Sequence, residues 1–199
     1  MSQTAQKIPL TEIRKRVDEE FSRKFDGEKA RIAKVRQLSR NGDLGTAIME
    51  FRVHLSAIGR DESVFDRGFE FKNAAKLAHA CGLGRDAEGE AWLKAYDSFV
   101  SAAEKSPLSN KGGWYDAAAE TAKAAGLGDE RIRKSAELSY KYWIAWAGSF
   151  KGDGWAYERA ANSAKNYGLD GGLAKRADEL AQEARRTHDA EIPSEPVVQ

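Results

Sequence analysis

One segment of this chain is written three times, and that repetition limits what the chain can fold into more than any other feature. Phe71 to Gly84, Tyr115 to Gly128 and Tyr157 to Asp170 align without gaps over fourteen residues. Their starting points set offsets of 44 and 42 residues. Each copy opens on an aromatic residue and carries an Ala-Ala pair three and four positions on (Ala74-Ala75, Ala118-Ala119, Ala160-Ala161). A further alanine follows at Ala78, Ala122 or Ala164, and the copy closes on Gly-Leu. Positions 0, 3, 4 and 7 share one face of a helix. A glycine just past the last periodic residue suits a left-handed helix stop, with the following leucine packing back. Each copy therefore predicts one short helix with its own terminator.

A longer helix is expected after each stop: Ala87 to Lys105, Glu130 to Gly148, and Leu173 to about His188. The first two align as well. Tyr96, Phe99, Val100 and Ala103 match Tyr140, Trp143, Ile144 and Ala147, again at the spacing of a buried stripe. Two polar, glycine-rich stretches, Ser106 to Gly113 and Lys151 to Gly154, read as turns that return the chain to the next short helix. The unit is helix, turn, helix, turn. Each unit buries its apolar surface by stacking on its neighbours. Alanines at matching offsets let helix axes approach closely while aromatics on the longer helices fill the remaining space.

The N-terminal third reads differently. Leu10, Ile13, Val17, Phe21 and Phe25 keep helical spacing and predict a helix over 10–25 that caps one end of the array. A second helix is expected from Glu28 to Arg40, broken by Asn41-Gly42-Asp43, and a third from Leu44 to Ile58 with Ala47, Ile48, Phe51 and Leu55 on one face. Gly59 to Gly68 is the least regular stretch and the expected bend. The last helix, with Leu173, Ala177, Leu180, Ala181 and Ala184 on one side, reads as the opposite cap.

The string from Asn41 to Leu55 resembles the tetratricopeptide repeat across its inter-helix turn. Gly42 and Asp43 stand at the turn, Leu44 where that family has an aromatic, then Ala47, Phe51 and Leu55, with His54 where alanine is usual. The period of about 43 residues exceeds that family's own and lies nearer the HEAT and armadillo range. The resemblance implies an all-α, right-handed α–α superhelix of stacked hairpins, about nine helices in all. It also implies a surface that binds peptides or other proteins. The expected organisation is one helical-repeat domain over 1–188, made of a cap and hairpin over 1–60 and a three-repeat array over 65–188. A disordered tail is expected from 189 to 199.

Composition excludes several function classes. Apolar residues are 41% and charged residues 32% of the 199, enough to build a core. The single cysteine, Cys81, rules out an internal disulfide and a cysteine-only zinc site. No run of 18 apolar residues occurs, so no membrane-spanning helix is expected, and the polar start Met1 to Gln6 predicts a cytoplasmic protein. No phosphate-binding loop, dinucleotide fingerprint or zinc-protease motif is present. His79 and Cys81 stand two apart on a helix and so point to different faces. The chain reads as no enzyme, with no cofactor and no metal.

Net charge is +1 overall but uneven: residues 1–60 hold 13 bases against 8 acids, and the rest 19 against 23. Arg14, Lys15, Arg16, Arg23, Lys24, Lys29, Arg31, Lys34, Arg36 and Arg40 give a basic third that could contact phosphates, so a nucleic-acid-associated accessory role is the alternative reading. Interrupting acids explain the same pattern as a solvated helix surface. The better lead is a second stripe on one long helix only, Leu138, Tyr142 and Trp146, where the preceding long helix has Lys94, Ser98 and Ala102. It is either core, on a helix flanked from both sides, or a recognition face. On the second reading, Lys94, Ser98, Lys141, Tyr142 and Trp146 line a docking surface for a protein or peptide partner whose acidic groups the lysines select. A homodimer through an end of the stack is also compatible with the pattern.

Overall fold

The computed structural model describes the backbone of residues 10–61, 63–149 and 154–191, and every described element is a helix. There are eight: α1 (Leu10–Arg40), α2 (Leu44–Asp61), α3 (Val64–Ala80), α4 (Arg85–Lys105), α5 (Leu108–Ala125), α6 (Asp129–Ser149), α7 (Gly154–Asn166) and α8 (Gly171–Glu191). Packing runs along the chain, α1 on α2 and then each of α3 to α8 on the next, with α2 reaching α3 and α4 more sparsely. The expected count of nine falls to eight among the described residues because α1 runs unbroken through Asp26-Gly27. A lone glycine inside a helix costs about 1 kcal/mol, too little to stop one. The side chains of Leu10, Ile13, Val17, Phe21 and Phe25 lie outside the described residues.

The three stops form as the sequence requires. Gly82, Gly126 and Gly168 sit at φ of 61°, 62° and 64°, the left-handed region. The following leucine amides donate back to carbonyls five residues earlier, Leu83 to Ala78 at 3.0 Å, Leu127 to Ala122 at 2.9 Å and Leu169 to Ala164 at 2.9 Å. That is the Schellman arrangement. The Asn41-Gly42-Asp43 break is built likewise, with Asp43 N donating to Leu38 O at 3.0 Å and the Asp43 carboxylate accepting from Thr46 N at 3.1 Å to start α2. The nine repeated alanines are all buried. They line the seams where short and long helices meet.

Two expected turns are helix instead. Leu108 to Gly113 belongs to α5, leaving Ser106 and Pro107 as the connection, and Gly68 lies inside α3, which begins at Val64. The glycines there serve packing, not chain reversal. A Cβ at Gly68 would stand 2.4 Å from the ring of Phe99, and one at Gly112 would stand 2.6 Å from the indole of Trp143. Gly154 is confined in the same way, 2.9 Å from Ala181 O and 3.1 Å from the Arg185 side chain. These glycines stand three residues before Phe71, Tyr115 and Tyr157, so they are a further member of the repeat. The residues they receive, Phe99, Trp143 and Arg185, are separated by the same 44 and 42 positions. Here glycine admits a large side chain of the long helix against the short helix's backbone. Of the remaining expected segments, residues 151–153 and 192–199 lie outside the described residues, and α8 continues to Glu191.

Candidate functional site

The repeat fixes how the long helix α6 presents its side chains. Trp143 is 5% exposed, seated on Gly112, and its indole N–H donates to Asp116 Oδ2 at 2.9 Å. Ser139, fully buried, lies 2.7 Å from Asp116 Oδ1 and 3.0 Å from Gly112 O, so its one proton is shared between them. The counterpart of Asp116 is Lys72 in the first copy and Glu158 in the third. Phe99 carries no donor, and there Lys72 turns to Glu120 at 2.7 Å; Arg185 carries a charge, and there Glu158 pairs with it. The polar residue after each leading aromatic is thus matched to whatever fills the glycine cradle.

With Trp143 holding α6 in place, Tyr142 and Trp146 fall on the half-buried flank of the helix. Tyr142 stacks on Tyr115 of α5 with ring centres 5.5 Å apart and planes 6° from parallel. Lys111 Nζ and Lys141 Nζ stand 5.4 Å and 5.8 Å from the centre of the Tyr142 ring, within the range of a cation–π contact. Trp146 lies 5.8 Å from Trp143 and 5.5 Å from Trp155 of α7, the latter edge to face. Trp155 is 42% exposed and carries the Arg159 guanidinium 5.3 Å from its ring. The result is a contiguous patch across α5, α6 and α7 with aromatic rings at its centre and Lys111, Lys141 and Arg159 around it. None of those three cations forms an ion pair with a described residue. Lys111 instead donates to the Glu104 carbonyl at 3.1 Å.

Of the five residues singled out from sequence, the structure brings Lys141, Tyr142 and Trp146 together. Lys94 and Ser98 occupy the corresponding place in the preceding hairpin: Lys94 stands 6.0 Å from the Phe71 ring and pairs with Glu90 at 3.9 Å, and Ser98 donates to Lys94 O at 2.8 Å. Lys94 lies on Phe71 as Tyr142 lies on Tyr115. Sequence reasoning missed Lys111, Tyr115, Trp155 and Arg159 as neighbours of the patch. Lys111 stands in a glycine-rich stretch that reads as a turn, and helical spacing cannot pair residues on different helices.

Three tyrosines of the array, Tyr115, Tyr140 and Tyr167, have their phenols held protonated by burial. Burial, then Tyr142 and Glu104, pushes the Tyr115 phenol up, and burial pushes up Tyr140. Tyr167 is pushed up to about 12 by burial and then by Asp116 and Glu120, and its hydroxyl donates to Asp116 O at 3.4 Å. At the opposite ends of these helices, α6 and the α7–α8 turn border an open cleft of about 700 Å³ whose lining includes Asp129, Glu130 and Asp170. Arg133 and Glu137 within it pair with each other at 2.9 Å.

The remaining candidates are spoken for by packing. His54 is 2% exposed among the α2 core residues and is held near pKa 4, first by burial and then by the Arg31 charge. Cys81 packs against the core edge, its carbonyl accepting from Ser39 Oγ at 2.6 Å, while His79 faces out to Glu88 at 3.2 Å. In the basic third, Lys34 pairs with Glu50, and the side chains of Arg14, Lys15, Arg16, Arg23 and Lys24 lie outside the described residues. Among the described residues no helix is long and apolar enough to cross a membrane, and no three His, Cys, Asp or Glu gather as metal ligands would. Comparison of the chain with protein-family models, with curated proteins and with solved structures gave no match.

Proposed function

We propose that the chain is a non-enzymatic helical-repeat module, tetratricopeptide-like in its stacking, that docks an acidic partner protein or peptide on the α5–α7 patch. The observation that carries this reading is the juxtaposition of Tyr142, Trp146 and Trp155 with Lys111, Lys141 and Arg159, cations that form no ion pair with a described residue. Aromatic rings that are half-exposed yet fixed by stacking lose little entropy on binding, which suits them to anchor a partner. The cations select carboxylates by charge and raise the rate of encounter. Lys94 and Ser98 extend the face along the preceding hairpin. The corresponding α3–α5 surface carries an aromatic cluster of its own, Phe65, Phe69, Phe99 and Trp114, so what distinguishes the α5–α7 patch is the set of cations over its rings, Lys111, Lys141 and Arg159.

Affinity capture from the native host, read by mass spectrometry, tests the reading. A partner should be captured by the wild-type chain and lost with Lys111→Glu and Lys141→Glu together, while circular dichroism stays unchanged. Capture that survives the double reversal overturns the assignment.

A further inference from the structure

The helix that closes the N-terminal end of the stack, α1, packs on α2, and their seam holds a buried histidine. Lys34 of α1 pairs with Glu50 of α2 across it, which fixes the register of the antiparallel pair. One helical turn farther from the Asn41-Gly42-Asp43 connection, three residues back on α1 and four on along α2, stand Arg31 and His54. His54 is 2% exposed. Its Nδ1 and the Arg31 Nε are both buried and have no hydrogen-bond partner among the described residues. The charges around them are placed as follows on each packed element. On α1, Lys34 and Glu28 lie a turn to either side of Arg31; on α2, Glu50 lies a turn back and is taken up by Lys34. On α4, Glu90 pairs with Arg52 at 3.6 Å, and on α3, Lys72 pairs with Glu120 at 2.7 Å. Among the described residues the Arg31 guanidinium is the charge that acts on the His54 ring.

A proton added to this ring creates a second positive charge opposite Arg31, where burial excludes water and Nδ1 finds no acceptor. The closed seam therefore lowers the His54 pKa to about 4, first by burial and then by the Arg31 charge, whereas an imidazole in water takes its proton near 6.5. Opening the seam is thus linked to proton uptake, and between about pH 7 and about pH 5 the linkage raises the open fraction about 20-fold. The packing decides what opens. Helices α3 to α8 pack on one another without α1, whose extensive contact is with α2. Gly42, at φ 79°, stands at the pivot, and beside it Ser39 Oγ donates to Cys81 O at 2.6 Å, which ties that end of α1 to the end of α3. In a stack each helix leans on its neighbours only, so a terminal helix leaves at lower cost than the whole unfolds.

We propose that the α1–α2 seam is an acid-operated latch: protonation of His54 opposite Arg31 releases α1 about the Asn41-Gly42-Asp43 pivot while the α3–α8 array stays folded, and so uncovers the core that Val35 shares with Phe51 and Leu55. The latch lies at the other end of the chain from the α5–α7 patch and stands independently of it.

Thiol labelling of the full chain tests the latch. In a Cys81→Ala background, Val35→Cys places a reporter in the seam. Thr121→Cys, replacing a buried hydroxyl that has no hydrogen-bond partner, places one in the array. Dithiodipyridine reacts with thiols in acid, and dividing each rate by that of the same variant unfolded removes the thiol's own ionisation. From about pH 7 to about pH 5 the normalised rate at position 35 should rise about 20-fold, while that at position 121 stays constant. His54→Leu should abolish the rise. Arg31→Glu should reduce it, because a carboxylate opposite the ring stabilises its charged form. An equal rise at position 121 means that the whole chain unfolds and overturns the latch. So does a rise that survives His54→Leu, a full rise in Arg31→Glu, or no rise at either position.

Discussion

The α3–α4 and α5–α6 hairpins are built on the same frame and carry different loads. In both, an Ala-Ala pair and a third alanine line the seam, a Gly-Leu stop ends the short helix, and a glycine three residues before the leading aromatic receives a large ring from the long helix. The two then diverge. The first bears rings alone in the cluster of Phe65, Phe69, Phe99 and Trp114, with Lys94 over Phe71 paired to Glu90; in the second, Tyr142 over Tyr115 is flanked by two lysines, and Arg159 stands over Trp155. What recurs between the hairpins is what stacking needs, and what differs is where the proposed docking surface lies. The lesson applies to any repeat chain read without relatives, because the copies within it are its only internal comparison.

The largest effects should fall on the shared frame and be equal in the two hairpins. Phe99→Ala and Trp143→Ala each empty a glycine cradle and should lower unfolding free energy by about 3–5 kcal/mol in denaturant titrations. A small effect at one site alone would break the equivalence.

A pH titration separates the N-terminal hairpin from both. The buried His54 is neutral in the folded chain, with its pKa lowered to about 4, and titrates near 6.5 when unfolded. The unfolded state therefore binds more protons as pH falls through 6.5. Stability should be intact above that value and fall by up to about 3 kcal/mol on approaching pH 4. His54→Leu should flatten this profile; a slope that survives the substitution assigns the acid sensitivity elsewhere.

Next come the glycines. Gly68→Ala and Gly112→Ala should each destabilise by about 1–3 kcal/mol, through overpacking that exceeds the gain in helix propensity. Gly89→Ala, where a Cβ meets open space, should stabilise by up to about 1 kcal/mol. Stabilisation at Gly112 would show that Trp143 has room to move and would remove the steric account. The smallest effect on stability belongs to the load: Tyr142→Ser, which restores the residue of the first hairpin, should shift the unfolding midpoint little while reducing partner capture.

Much of the frame was legible in the sequence because it is written in register. Helix stops, buried alanines and the long-helix stripe all follow from spacing within a single helix. The cradles were written in the same register, at Gly68, Gly112 and Gly154, but glycine's low helix propensity makes such residues look like turns. Only the ring delivered from the next helix shows why glycine is needed. The same limit hides the patch: Tyr142 and Trp146 announce themselves by period, whereas Lys111, Tyr115, Trp155 and Arg159 join them through packing between helices. His54 is the converse, a polar residue in an apolar register, whose burial follows from its neighbours Phe51 and Leu55 rather than from its own chemistry.

Amide hydrogen exchange of the chain with and without its captured partner tests the central claim most directly. Added protection should concentrate on the N-terminal half of α5, the C-terminal half of α6 and the first turns of α7, around Lys111, Tyr142 and Trp155. Protection that instead centres on α1 and α2, or that spreads equally over α3–α4 and α5–α6, would contradict a docking surface built where the second hairpin departs from the first.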